Sequence, residues 1–264
     1  MSTPAQVWSY RTLIINLAQR DLKARYKKSL LGWSWSLINP AATLGIYTLV
    51  FGVFLKGTAP VAGNGELQSF ALYLFCGLVV WNLFAGVINN SIISFLGAGQ
   101  LLTRTYFPPE CPMVAGLGTV LIQAALELGI LYGFMIAFGN FSWTFLVAIP
   151  VMFLGACFAF GIGLVLGLGN IRFRDVSYLV GILLQVLFYA TPIVYRLDQI
   201  SSTAQRILEL NPLTSYVYSM RQTVYELQLP TTTNWLIMGT SAAVSLVIGW
   251  WVFSRYAPRV IEEL

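Results

Sequence analysis

The chain has no histidine, and only 9% of its 264 residues are charged. Without histidine there can be no Ser-His-Asp triad and no histidine-held metal centre. There is no Gly-x-x-x-x-Gly-Lys-Ser/Thr segment, so the chain lacks a phosphate loop for ATP, and there is no Cys-x-x-Cys pair. The three cysteines, Cys76, Cys111 and Cys157, imply no disulfide framework. No cleavable signal peptide, low-complexity tract or inverted repeat is discernible.

The shortage of charge decides the class. A soluble domain carries about 25% charged residues to keep its surface wet; here 57% of residues are hydrophobic and the mean hydropathy is +0.73. A hydrocarbon core about 30 Å thick takes roughly 20 apolar residues per helix. Uncharged stretches of that scale recur at 29–55, 67–103, 128–171, 176–195 and 227–254, with a shorter one at 111–126. The stretch 128–171 is too long for one helix and breaks at Gly139-Asn140-Phe141-Ser142. The pattern predicts an all-α integral membrane protein with six transmembrane helices, at 31–55, 68–96, 113–138, 144–170, 178–194 and 235–253.

Lys and Arg accumulate in cytoplasmic segments. With both termini inside, the cytoplasmic side holds eleven basic residues: Arg11, Arg20, Lys23, Arg25, Lys27, Lys28, Arg104, Arg172, Arg174, Arg255 and Arg259. Four lie outside: Lys56, Arg196, Arg206 and Arg221. Both termini are therefore expected in the cytoplasm. The net charge of +5 reflects this asymmetry and attraction to anionic membrane lipid, and implies no nucleic acid partner.

The densest positive charge stands against the first apolar run. As a helix, residues 7–30 place Ile15, Ala18, Leu22, Tyr26 and Leu30 on one side and Asn16, Arg20, Lys23 and Lys27 on the other. That suits an N-terminal interfacial amphipathic helix that turns into the bilayer at Gly32. It serves either as a positive-inside anchor or as a helix that touches an anionic headgroup. The segment 97–112 is a cytoplasmic loop closed by Pro108 and Pro109, and 170–175 is a second one, in which Arg and Asp can pair. Segment 196–233 is a long external stretch with amphipathic patterning. Tyr216, Met220, Thr223 or Val224, and Leu227 share a face there, and Ser201 or Ser202 can cap a short helix ahead of them. Asn211-Pro212 divides the stretch, giving short external re-entrant helices between spans 5 and 6. Such helices can enter a membrane only where protein or water shields the backbone.

Five motifs in order, RDLKARYKKSLLGWSWSLINP, TRTYFPPE, NIRFRDV, TPIVY and LNPLTSYV, give a chain that resembles the ABC-2 type permeases of polysaccharide export, a family that includes O-antigen, teichoic-acid and capsule exporters. The likeness runs from about Trp8 to the C-terminus and implies one ABC-2 type transmembrane domain over 1–264. It implies a homodimer, two copies of a separate ABC ATPase subunit that bind ATP and Mg, no cofactor in this chain, and a lipid-linked glycan as substrate. The chain would then be no enzyme but a multi-pass permease of the bacterial plasma membrane. The resemblance assigns 7–30 to an interfacial gate helix, with Arg20, Lys23, Arg25, Tyr26 and Lys27 near the headgroup. Arg104, Thr105, Tyr106 and Phe107 match a coupling helix that sits in the ATPase, and 201–229 matches paired short helices at the external mouth.

A glycan needs a continuous polar or aromatic path, because each unpartnered hydroxyl moved into hydrocarbon costs on the order of a few kcal/mol. Candidates for its lining are Trp33, Trp35 and Tyr47 in the first span, with Phe188, Tyr189 and Tyr195 in or just beyond the fifth. Glu127, the one acidic residue inside an expected span, is read as hydrogen-bonded to a neighbouring helix, since ATP drives the resembled family. Gly129-x-x-x-Gly133 and Gly163-x-x-x-Gly167 are read as close helix contacts. Two other classes share this composition: an ABC-2 permease for a drug or a lipid, and an ATP-independent carrier or integral membrane enzyme.

Overall fold

The computed structural model describes residues 4–27, 29–54, 59–97, 107–197 and 200–262, which form helices and turns with no strand among them. Two short helices, α1 (Pro4–Ser9) and α2 (Arg11–Tyr26), precede α3 (Trp35–Tyr47), which continues as a π-helix over Thr48–Phe54. Then come α4 (Phe70–Gly97), α5 (Glu110–Ala137), α6 (Phe145–Arg172) and α7 (Val176–Tyr189). The short α8 (Ser202–Glu209) and α9 (Pro212–Met220) follow, with a π-helix over Arg221–Tyr225, and α10 (Thr232–Glu262) ends the chain.

Among the described residues four helices, α4, α5, α6 and α10, are long and apolar enough to cross a membrane. The fifth expected span is α7, whose 14 residues extend about 21 Å, short of the hydrocarbon thickness. It stops at Tyr189 because Thr191-Pro192 follows, and a residue before proline is steered out of the helical region. The first expected span is the α3–π run, which contains Pro40.

Helix α4 is the centre of the bundle. Its residues 71–80 are buried on every side, as expected of a helix apolar all round. Helix α6 packs on α4 through Gly163 and Gly167, where any Cβ would press into Ser91 or Met113. On its other side α6 meets α10 through Gly161, Gly249 and Ser245, and Ser245 donates to the Phe158 carbonyl at 2.7 Å. The Gly163 pair is thus a close helix contact. The Gly129 pair is not one within this chain, since nothing stands within 4 Å of a Cβ at Gly129 or Gly133; that part of the expectation is corrected.

The break at residues 139–142 is a Schellman cap. Gly139, with φ +71, donates to Ile136 at 2.9 Å, and Asn140 donates to Met135 at 2.8 Å. At the start of the first expected span, Gly32 has φ +49 and redirects the chain into α3.

The N-terminal region corrects the expected helix over 7–30. It is interrupted at Tyr10 and ends at Tyr26, where Lys27 turns extended, and Leu30 lies beyond it, fully exposed. Its packed face is also different. Leu17 is buried, Leu13 and Ile14 are half-buried, and Ile15 is 53% exposed. The expected wheel was rotated because the inward residues answer to protein: Val7, Phe107 and Cys111 form a small core with Tyr10, Leu13, Ile14 and Trp250.

Segment 200–229 is built into the bundle. Ser201 caps α8 by accepting from the Ala204 amide at 3.4 Å, and Asn211 caps α9 by accepting from Leu213 at 3.1 Å. Of the expected shared face, Tyr216, Met220, Thr223 and Val224 are fully buried and Leu227 is half-buried. Leu213, Thr214, Ser215, Val217 and Ser219 are buried too, so α9 is enclosed rather than amphipathic. The π-helical carbonyls are met by side chains from elsewhere. Asn140 donates to Val224 and Tyr225 at 3.0 and 3.1 Å, and Thr144 donates to Thr223 at 2.8 Å. The Gly63 amide donates to Tyr225 at 2.9 Å. Protein thereby supplies partners for the backbone groups that this irregular chain leaves open.

Candidate functional site

A groove of ≈ 340 Å³ runs between α4 and α7. The α4 wall presents Trp81, Ala85 and Asn89 at fourfold spacing; the α7 wall presents Gly181, Gln185 and Phe188 with Tyr189. These intervals bring one face of each helix to the groove. Trp81 and Phe188 meet edge to face with centroids 5.3 Å apart, and Phe188 meets Tyr189 likewise at 5.3 Å. Tyr195 donates its hydroxyl to the Tyr189 carbonyl at 2.8 Å and so braces the end of α7.

Three amides on these apolar helices, Asn82, Asn89 and Gln185, are exposed on the surface of the chain. An unpartnered amide facing hydrocarbon costs on the order of a few kcal/mol, so the groove face that carries Asn89 and Gln185 suits a polar neighbour. Asn82 is tied back by donation to Glu127 at 2.9 Å. Gln123 donates to the other Glu127 oxygen at 3.3 Å and to the Ser36 carbonyl at 3.4 Å. Glu127 therefore links α3, α4 and α5, in keeping with its reading as a hydrogen-bonded residue.

The open end of α7 is fixed from outside the groove. Arg221 is 1% exposed. It donates to Pro192 at 2.7 Å, to Ile193 at 2.6 Å and to Tyr73 at 3.3 Å, and its guanidinium lies 3.9 Å from the Tyr73 ring centre. Asn211 adds donations to Ala190 at 3.1 Å and to Thr191 at 2.9 Å. Glu226 beside it has its carboxyl pushed up by burial, an effect that Arg221 and Arg196 partly offset.

Of the aromatic candidates, Phe188, Tyr189 and Tyr195 come together here. Trp33 and Trp35 stand exposed at the start of the first expected span, 53% and 47%, and Tyr47 packs on the main core. Among the groove residues missed by sequence are Trp81, Asn89 and Gln185. Their signal was present, since Trp81 is the one tryptophan well inside a span and the amides interrupt apolar runs.

Arg20 and Lys23 on α2 and Lys27 just beyond it are exposed, and Arg20 is engaged by Asp21 at 2.9 Å. The side chains of Arg25 and Tyr26 lie outside the described residues, as do Arg104, Thr105 and Tyr106. Phe107 is 6% exposed and turned into the small core with Val7 and Cys111. Arg172 lies over the Phe173 ring at 5.9 Å, and Asn170 accepts from the Ser177 amide at 3.0 Å.

The family model for the ABC-2 type transporter matches residues 12–225. The chain belongs to that family. This ABC-2 protein is 31% identical to the O-antigen export system permease protein RfbA of Myxococcus xanthus, over 96% of this chain and 95% of that one. It is 28% identical to the RfbA permease protein of Klebsiella pneumoniae, over 96% and 95%. A polysialic acid transport protein, KpsM of Escherichia coli, is 26% identical over 78% of each chain.

Proposed function

We propose that this chain is the membrane permease subunit of an ATP-driven exporter that carries a lipid-linked polysaccharide across the plasma membrane. The observation that carries the reading is the α4–α7 groove, where aromatic rings and exposed amides sit on otherwise apolar helices. Rings pack against the CH faces of sugars and amides hydrogen-bond their hydroxyls, which a drug-sized apolar substrate would not require. The naming of relatives after O-antigen and polysialic acid transport supports the same class.

In this reading two copies face each other across the groove, six spans place both termini in the cytoplasm, and α8 and α9 stand at the external mouth. A separate ATPase docks on 104–106 and hydrolyses ATP with Mg. Phe107, packed beneath α1 and α2, joins the docking segment to the gate helix, so motion of one is felt by the other.

The experiment is restoration of surface polysaccharide in a deletion strain. Recovery should require both the permease and its ATPase. Recovery with the permease alone, or none with both, contradicts the reading.

The gate helix yields a finer expectation. If Arg25 meets the anionic headgroup through a charge-assisted bond, Arg25→Ala should lower substrate-stimulated ATP hydrolysis several-fold in reconstituted complexes. Basal hydrolysis should stay normal. Equal, near-normal stimulation in Arg25→Ala, Arg25→Lys and Lys27→Ala would return the helix to an anchor.

A further inference from the structure

A second cavity, of ≈ 440 Å³, lies away from the groove where α8, α9 and the start of α10 meet. Its volume is in the range of small-ligand pockets. We infer that it is a binding site for a neutral sugar unit, used by the polysaccharide as it leaves the permease; the inference rests on the exporter reading above.

The chemistry of the lining selects the ligand class. Among the described lining residues only Leu197 and Ile237 are wholly apolar, too little for an acyl chain. Among the described lining residues there is a carboxylate, Glu209, and neither Lys nor Arg, which does not suit a phosphate-bearing headgroup. One carboxylate is likewise too few for a hard cation. What remains is a set of amides, hydroxyls and one phenol ring, which are the partners of a sugar: donors and acceptors for hydroxyls, and a flat face for CH groups.

The groups are held in place. Thr214 and Ser215 are 4% and 6% exposed, and Thr214 donates to the Leu208 carbonyl at 2.7 Å. Gln205 spends its amide nitrogen on the carbonyls of Leu197 at 2.6 Å and Ile200 at 3.2 Å. What it offers a ligand is its oxygen, as an acceptor. Asn234 is oriented by donation to Gln222 at 3.4 Å, and the Tyr218 ring is half-buried on the α9 side. Such a site exchanges water for hydroxyls with small net gain. It would hold a passing chain weakly, enough to oppose backsliding and not enough to stop export.

The test uses the permease with its ATPase in nanodiscs and saturation-transfer NMR. The probes are oligosaccharides made by mild acid hydrolysis of the source strain's surface polysaccharide, and glycerophosphoglycerol as a soluble lipid headgroup. Transfer to the oligosaccharides is expected, about tenfold reduced or lost in Asn234→Ala and in Thr233→Trp, whose bulk at the exposed rim would fill the cavity. Val247→Ala, on an exposed face of α10, should leave it unchanged. Unchanged transfer in both cavity variants, each with normal basal ATP hydrolysis, would overturn the site. So would glycerophosphoglycerol displacing the sugars, which would make it a headgroup pocket. The deletion-strain experiment reads the exporter proposal separately. Restored export with unchanged binding removes only the external site, whereas failed restoration removes the exporter reading and leaves sugar binding to be read by itself.

Discussion

Replacing Arg221 with alanine is expected to remove most of the stably folded permease from detergent extracts of the membrane. Arg221 is the fork that closes α9 and its π-helix onto the end of α7 and the start of α4. Without it the Pro192 and Ile193 carbonyls lose their donors, at on the order of 1–3 kcal/mol each, and a cavity opens above the Tyr73 ring. Lysine keeps the charge but cannot reach two adjacent carbonyls while lying flat on a ring. Arg221→Lys should therefore recover only part of the loss. The check is thermal unfolding of the purified complex by size-exclusion profile. An Arg221→Ala profile that melts with the wild type would show that the clamp contributes nothing.

The second large effect concerns the groove. A double change, Asn89→Leu with Gln185→Leu, is expected to abolish export while the complex remains folded and hydrolyses ATP. Both residues are exposed on the chain surface, so the protein loses no internal bond. Leucine is better suited than an amide to an apolar helix, and stability should hold or rise. Each sugar that passes would instead leave hydroxyls unpartnered, at on the order of a few kcal/mol apiece. Surface polysaccharide measured in the deletion strain reads the result, with ATP hydrolysis of the reconstituted complex as the control. Normal surface polysaccharide in the double variant would mean that these amides do not line the path.

These two sites differ in how far the sequence discloses them. The long spans α4, α5, α6 and α10 follow from uncharged length, and the α5–α6 turn from Gly139, because both are local. Helix α7 ends early for a reason that is also local, Thr191-Pro192, although hydropathy alone carries the span on to residue 194. Part of the groove was legible through Phe188 and Tyr189, with Tyr195 bracing the end of α7. Trp81, Asn89 and Gln185 escaped because a search for uncharged runs does not register neutral amides, and because the two walls join only when α7 folds back on α4. Arg221 was the least legible. It counts in sequence as one of four external cations, and its burial depends on partners 28 and 148 residues away. The rotated face of α2 has the same origin, since Val7, Leu13 and Ile14 turn towards Phe107 and Trp250.

The central claim is that the glycan travels along the α4–α7 groove, and photo-cross-linking during export tests it most directly. A benzophenone amino acid at Gln185, with a second preparation carrying it at Val247, which is 68% exposed on α10, is irradiated in membranes of cells exporting polysaccharide. The account predicts a polysaccharide-bearing adduct at 185 and only lipid adducts at 247. Lipid adducts at both positions, with no glycan at 185 while export proceeds, would contradict it.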